Sequence, residues 1–197
     1  MRSFNQQFED YKLSVSGLTS LGEEAFLNWE KNYVNKKKEF NPTEFLTGKI
    51  YSFEYNDRLE KGKSFVNKRP VIFFTGYFNY ENKAAFGGID LILMPPMMRI
   101  PFFNRIMGVY ESQIESNMRK IESGDIKSQS QLKTDYETLN AILNNIPFKN
   151  SYRAWDLKKV RDVIEIPYTD WTRIVYLHTR SIEGTQIEEI YKKNLIP

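Results

Sequence analysis

Residue types that catalyse reactions are scarce in this sequence of 197 residues. Cysteine is absent, and His178 is the single histidine. These counts exclude a disulfide framework, a thiolate nucleophile and a cysteine-based zinc or iron–sulfur site. A catalytic triad or a histidine metal site would depend on His178 alone, and the sequence shows no particular partner for it. We therefore expect His178 to be an ordinary surface or packed residue.

Carboxylates are the remaining candidates for catalysis, and they are scattered. Asp90 lies between Ile89 and Leu91 in a predicted strand. An inward acid there could form half of a catalytic pair, or it could face solvent or bond to a turn. No P-loop, GxGxxG, GxSxG, HExxH or EF-hand motif occurs. A small hydrolase or nuclease using Asp90 and Glu165 is thus the least favoured function, because its acids would not be clustered around a metal. We expect no enzymatic activity, no metal and no cofactor.

Two basic segments are more informative than the net charge of +3. The first basic segment contains Arg58, Lys61, Lys63, Lys68 and Arg69. The second contains Lys149, Arg153, Lys158, Lys159 and Arg161, with Tyr152 and Trp155 interleaved. Cations contact phosphates and aromatic rings stack on bases, so the two segments together would form a face for DNA or an acidic partner. The plainer interpretation is solvated loops around a buried tyrosine and tryptophan.

Helical periodicity marks the beginning and the middle of the chain. Ser20 and Glu23 have the spacing of a capping box, and apolar residues then recur on one face until Pro42 ends the pattern. The spacing predicts N-terminal helices within residues 1–40, a helical hairpin over residues 101–146 and a last helical turn at residues 186–192.

Strand periodicity begins near Thr47, where apolar and polar residues alternate. The pattern predicts strands at residues 48–55, 69–80, 84–94, 163–166 and 173–177, with a polar loop at residues 57–68. Gly87 and Gly88 indicate a bulge or a close backbone approach, and Pro95 and Pro96 are expected to stop their strand. The basic stretch over residues 151–163 is expected to be a short helix.

These elements predict one α+β domain over residues 1–197. A small antiparallel sheet buries an aromatic face best by curling on itself. We expect a small SH3-like antiparallel β-barrel or bent sheet of about five strands, interrupted by the helical hairpin and preceded by N-terminal helices. Its parts are the helices of residues 1–40, three strands in residues 47–96, the hairpin insertion of residues 101–146, and the basic linker and closing strands of residues 151–197.

A series of short motifs, in matching order over about residues 20–180, resembles one protein family. The motifs are Ala25–Trp29, Gly48–Tyr55 as "GKxYxFxY", Arg69–Ile72 as "xPLV", Gly88–Arg99 as "GLNLHYLPPxxR", Ile164–Trp171 as "fikIPxeeW" and Ile174–Arg180 as "aiFLPTExF". The family is that of tailed-bacteriophage virion proteins labelled DNA end protectors. Asp90 stands where the family has Asn, and His178 stands where it has Pro. The resemblance implies no catalytic residues, and it implies structural roles for Pro95, Pro96, Arg99 and Trp171. Arg99 is also of a type that pairs with a carboxylate or a phosphate.

The resemblance implies a non-enzymatic virion structural protein at the portal, neck or tail, which contacts or protects the packaged DNA end. Its expected location is the virion, and its expected partners are other virion proteins and the double-stranded DNA end, within a ring-like homo-oligomer. Aromatic residues make up 15% of the chain, more than one small core readily hides, which also favours an assembly interface. The alternative is a small-barrel nucleic-acid-binding module without a structural virion role. No apolar run is long enough to predict a membrane span or a signal peptide.

Overall fold

The computed structural model describes residues 24, 27–29, 31, 32, 41–58, 65–106, 108, 150–167, 170–175, 177 and 182–195. The strands are β1 (Ile50–Tyr55), β2 (Phe65–Asn67), β3 (Val71–Tyr80), β4 (Lys83–Asp90), β5 (Tyr152–Asp156), β6 (Val160–Ile166) and β7 (Ile182–Gly184). A helix covers residues 96–106, and two further helices are Trp171–Ile174 and Ile187–Leu195. Short 3-10 helices occupy Pro42–Glu44 and Leu157–Lys159. The described residues before position 40 are helical.

The main sheet is antiparallel and has the strand order β5-β4-β3-β1-β6. Its two edge strands, β5 and β6, follow each other in sequence, and only Leu157–Lys159 separates them. A connection of three residues cannot cross a flat five-stranded sheet, so the sheet bends until its edges approach each other at this end. In the part of the chain that the structure describes, no ladder joins β5 to β6. The bent sheet of about five strands is therefore confirmed, and the closed barrel is not the observed form.

The two faces of the sheet bury different clusters. One face packs against the helix of residues 96–106 and the short helix Trp171–Ile174, through Phe102, Phe103 and Trp171 among others. The concave face holds an aromatic cluster that includes Phe45, Tyr51, Phe53, Phe74, Phe86 and Trp155. Ile50 and Tyr51 are both fully buried although they point to opposite faces, because both faces are covered. Much of the aromatic excess therefore lies in the core.

The bulge or close approach predicted at Gly87 and Gly88 is confirmed. The register between β3 and β4 shifts opposite these glycines, between Phe74 and Gly76. A Cβ at Gly88 would lie 2.7 Å from the Phe73 carbonyl oxygen. The strand itself ends at Asp90, earlier than the predicted residue 94, because Asp90 accepts a hydrogen bond from the Ile92 amide (3.1 Å) and begins a turn. Pro96 then starts a helix, so the prolines do not stop the strand.

Two predicted elements are wrong. Residues 151–163 do not form a short helix: they form β5, a 3-10 turn and the start of β6. The stretch is basic, but Trp155 is a strand residue whose ring packs on Phe86 of β4. The strand predicted at residues 173–177 is not formed by its described residues, because Trp171 and Ile174 lie about one helical turn apart and both are buried in a short helix. β5 therefore takes the place of the predicted fifth strand.

The remaining predictions have mixed outcomes. β1 and β3 confirm the first two predicted strands, and the helix Ile187–Leu195 confirms the last helical turn. β2 and β7, which pair with each other, are absent from the predictions. Residues 101–106 are helical as expected, whereas the rest of the predicted hairpin lies outside the described residues except for residue 108.

Candidate nucleic-acid interface

The end of β1 lies between the two basic segments. On one side, the Tyr55 amide donates a hydrogen bond to the Lys68 carbonyl oxygen (2.9 Å). On the other side, the Asn56 amide donates to the Lys159 carbonyl oxygen (2.8 Å). The sheet thus brings together two segments that are far apart in the sequence, as the prediction of one basic face required.

Asp57 connects the two segments through two lysine side chains. The Lys159 ammonium lies 2.8 Å from Asp57 Oδ1, and the two residues are 102 positions apart. The Lys68 ammonium donates to the Asp57 main-chain carbonyl. The Asp57 side chain is only 11% exposed, so it holds Lys159 at the rim of the surface. Such a partly exposed pair contributes about 0–1 kcal/mol to stability, and its main effect is to fix the position of the lysine.

Other acids offset part of the positive charge. Arg69 Nη1 lies 3.2 Å from Glu54 Oε1, and Lys68 Nζ lies 3.6 Å from Glu183 Oε2. Glu54 is also the register partner of Arg161 on β6. The basic surface is therefore a mixed one, in which several cations are held by acids.

Three cations of the two segments point into solvent. Arg58, Lys158 and Arg161 are exposed, and no ion pair to any of them occurs among the described residues. Lys158 projects from the 3-10 turn because Asp156 caps that turn and accepts a hydrogen bond from the Lys158 amide (2.9 Å). These three side chains have the exposure that phosphate contacts need. We call Arg58, Lys68, Arg69, Lys158, Lys159 and Arg161 the basic surface.

Tyr55 fixes the position of the capped turn. Its hydroxyl oxygen accepts a hydrogen bond from the Asp156 amide (3.3 Å), which is 101 positions away. Burial raises the pKa of the Tyr55 phenol above its usual range. The turn that presents Lys158 is thereby attached to β1.

Arg153 differs from the other cations because it turns inward. Its Nη1 donates to the carbonyl oxygens of Tyr152 (2.6 Å) and Asn150 (3.0 Å). Its guanidinium carbon lies 5.9 Å from the centre of the Phe65 ring. Burial lowers the pKa of the guanidinium, and the nearby Asp90 carboxylate opposes that shift. Arg153 therefore belongs to the wall of a pocket beside the basic surface.

Asp90 is one of the lining residues of that pocket and is 1% exposed. Its Oδ2 accepts a hydrogen bond from Asn67 Nδ2 (2.8 Å), and its Oδ1 accepts one from the Ile92 amide. Burial raises the pKa of the Asp90 carboxyl to about 6, although these hydrogen bonds and the charges of Arg153 and Arg99 favour the ionised form. Asn67 was not among the predicted site residues, because nothing in its sequence context distinguishes it from an ordinary loop residue.

Asp90 and Glu165, the two acids of the least favoured function, do not form a pair. Asp90 lies on β4 and Glu165 on β6, which are three strand spacings apart in the sheet, about 14 Å. Glu165 pairs instead with Lys49, at 3.6 Å. In the described ranges, no group of three or more His, Cys, Asp or Glu side chains has the arrangement of a metal site.

Arg99 belongs to the buried core and not to the basic surface. It is fully buried, and its guanidinium donates to the carbonyl oxygens of Leu91 (2.9 Å), Met94 (3.0 Å) and Val175 (2.8 Å). Its Nη2 also donates to Ile92 and to the Tyr191 hydroxyl oxygen. The side chain thus ties the turn after β4 to two later segments.

Of the other motif residues, Trp171 and Pro95 are buried and Pro96 is exposed. Trp171 is 1% exposed, and its Nε1 donates to the Ile166 carbonyl oxygen (3.1 Å). Pro95 is buried before the helix of residues 96–106, whereas Pro96 is exposed at its first position. Lys61, Lys63, Lys149 and His178 lie outside the described residues.

A helix long and apolar enough to span a membrane does not occur in the described ranges.

These features define a small α+β protein with a bent antiparallel sheet and a mixed basic surface at the end of β1. The family described as Phage T4 terminal DNA protecting protein matches residues 12–191. The chain belongs to this bacteriophage family, as the motif series implied. No significant match was found among curated proteins or solved structures.

Proposed function

We propose that this chain is a non-enzymatic bacteriophage virion structural protein that binds the end of the packaged double-stranded DNA through the basic surface. The family description names terminal DNA protection. The single observation that carries the proposal is the convergence of two distant basic segments on Asp57. Cations on a common face contact successive phosphates, which scattered cations do not.

The remaining parts of the proposal concern assembly. The chain acts at the portal, neck or tail, in contact with other virion proteins and within a ring-like homo-oligomer. Support comes from the exposed aromatic residues on the β3–β4 hairpin: Tyr77, Phe78 and Tyr80 are 43%, 36% and 59% exposed. Aromatic side chains on a protruding hairpin are typical anchors of a protein interface. The strand order and the 3-10 connector support an SH3-like arrangement of the bent sheet.

A DNA-binding assay tests the proposed contact surface. The protein is titrated with linear and with closed circular duplex DNA at several salt concentrations. We expect tighter binding to the linear form and affinity that falls steeply with salt. The triple variant Arg58→Glu, Lys158→Glu, Arg161→Glu should lose binding, because it reverses the three exposed cations of the basic surface.

The matched control reverses three exposed lysines elsewhere, Lys83→Glu, Lys192→Glu and Lys193→Glu. It changes the net charge by the same amount and should retain binding. Equal losses in the two triple variants, or no preference for linear DNA, would contradict the proposed function.

Mass spectrometry of purified particles separates the virion role from the alternative of a DNA-binding module outside the particle. We expect the chain in particles at a fixed, ring-like copy number. Its absence from particles together with retained DNA binding would favour the alternative.

A further inference from the structure

A pocket of about 330 Å³ opens next to the basic surface. Asp57, which holds Lys159, is one of its lining residues, so the pocket and the basic surface share a wall. The volume is at the lower end of the usual range for ligand pockets, about 300–1,000 Å³. A cavity of this volume suits a single nucleotide.

The walls of the pocket offer flat surfaces. The Phe65 ring and the Arg153 guanidinium lie 5.9 Å apart, and Tyr55 and Trp155 also line the cavity. Nucleobases stack on aromatic rings and on guanidinium planes. The wall chemistry therefore favours a planar heterocycle over a flexible aliphatic ligand.

The Asp90 carboxylate, which lines the pocket, offers hydrogen-bond acceptors. Each carboxylate oxygen of Asp90 accepts one hydrogen bond, from Asn67 or from the Ile92 amide. A carboxylate has about four acceptor positions, so positions on both oxygens remain for a ligand. Acidic side chains accept hydrogen bonds from exocyclic amino groups, as on the cytosine edge, whereas thymine presents two carbonyl oxygens and a single N–H. The Asp90 carboxylate thus favours a nucleobase with an amino group.

We propose that this pocket receives the terminal nucleotide of a DNA end, unpaired from its complement, with preference for a base that carries an exocyclic amino group. The inference rests on the proposed function, since it needs a DNA end at the basic surface. Removing a base from its stack requires little energy where it is already unpaired. By binding a terminal base, the protein would distinguish a DNA end from continuous duplex. Phosphate contacts alone do not make that distinction.

Short duplexes with one unpaired terminal nucleotide test the pocket on the intact chain. The four bases, an abasic end and a blunt end are compared at one salt concentration. For the unaltered protein we expect cytosine, adenine or guanine ends, which all carry an exocyclic amino group, to bind about tenfold more tightly than thymine or abasic ends. Equal affinities for all these ends would overturn the proposal.

Two variants assign that preference to the pocket. Phe65→Ala should remove the preference for a base over an abasic end, and the exposed Phe78→Ala is its matched control. Asp90→Asn should reduce the discrimination between cytosine and thymine at least several-fold, because an amide replaces one acceptor with a donor. Both variants should keep salt-dependent binding. An unchanged preference in both would overturn the proposal even if the unaltered protein selects cytosine ends.

The outcomes separate the two proposals. A preference for linear over circular DNA without selection among terminal nucleotides rejects the pocket and leaves the proposed function standing. No preference for linear DNA rejects both.

Discussion

Lys159 and Asp57 form an ion pair of 2.8 Å across 102 positions of the sequence. The contact joins the two basic segments at the end of β1. It also neutralises one cation of the surface that we propose binds DNA. Asp57 therefore opposes binding electrostatically while it positions Lys159.

Asp57→Asn should strengthen DNA binding. The change removes one negative charge from the basic surface, so the slope of log affinity against log salt should steepen by up to about one unit. The loss of a partly exposed ion pair should lower the free energy of unfolding by no more than about 1 kcal/mol. Salt titrations of DNA binding measure the first effect, and urea unfolding measures the second. Weaker binding in this variant would show that the tethering of Lys159 matters more than the charge.

Arg99→Met should destabilise the fold strongly without altering the basic surface. The variant leaves the buried carbonyl oxygens of Leu91, Met94 and Val175 without this donor. Buried acceptors without partners each cost about 1–3 kcal/mol, so the free energy of unfolding should fall by about 3 kcal/mol or more. Arg105→Met, at an exposed position of the same helix, is the control. Similar urea midpoints for the two variants would contradict the assigned role.

Gly88→Ala should destabilise the sheet. The added Cβ would lie 2.7 Å from the Phe73 carbonyl oxygen, which belongs to the backbone of the neighbouring strand and cannot rotate away. Overpacking of this kind costs about 1–3 kcal/mol. Thermal unfolding monitored by circular dichroism measures the change, with the exposed Ala84→Gly variant as a reference for altered β-propensity. A Tm equal to that of the unaltered chain would contradict the close approach.

Stability should depend on the ionisation of Asp90. Burial raises its pKa from 3.8 to about 6 in the folded chain, with Arg153, Arg99 and Asn67 facing it. The folded state therefore binds the proton more tightly than the unfolded state, and this contribution is present below about pH 4 and is lost as the pH rises through 6. At about 1.4 kcal/mol per pKa unit, the loss is about 3 kcal/mol.

Comparison with Asp90→Asn isolates the contribution of Asp90 ionisation to the free energy of unfolding. Between pH 4 and pH 6.5, the free energy of unfolding of the unaltered chain should fall relative to that of the variant. Urea unfolding at several pH values measures it. Parallel pH profiles would contradict the shifted pKa.

The sequence predicted the elements whose periodicity is strong. β1 alternates apolar and polar residues, and β3 is rich in aromatic and β-branched residues. Both strands form where expected. The prediction failed where local pattern and tertiary contacts disagree. The basic residues around Trp155 suggested a helix, yet the packing of Trp155 on Phe53 and Phe86 makes that segment a strand. Ile174 and Val175 have high β-propensity, yet their burial occurs in and just after a helical turn.

The candidate site was predictable in its cations and not in its geometry. The two basic segments are visible in the sequence, but their meeting depends on the pairing of β1 with β6 and on the hydrogen bond from the Tyr55 amide to Lys68. Arg153 looked like the other cations, and only its burial against Phe65 and Asp90 separates it from them. Asn67 could not be found, because its partner Asp90 is 23 positions away in another strand.

The most direct test of the central claim is protection of linear duplex DNA from a processive exonuclease. The unaltered chain should protect DNA ends at concentrations where it binds them. The triple variant Arg58→Glu, Lys158→Glu, Arg161→Glu should give no protection, and the control Lys83→Glu, Lys192→Glu, Lys193→Glu should protect as well as the unaltered chain. Equal protection by both triple variants would contradict a role for the basic surface, and no protection by the unaltered chain would contradict the function.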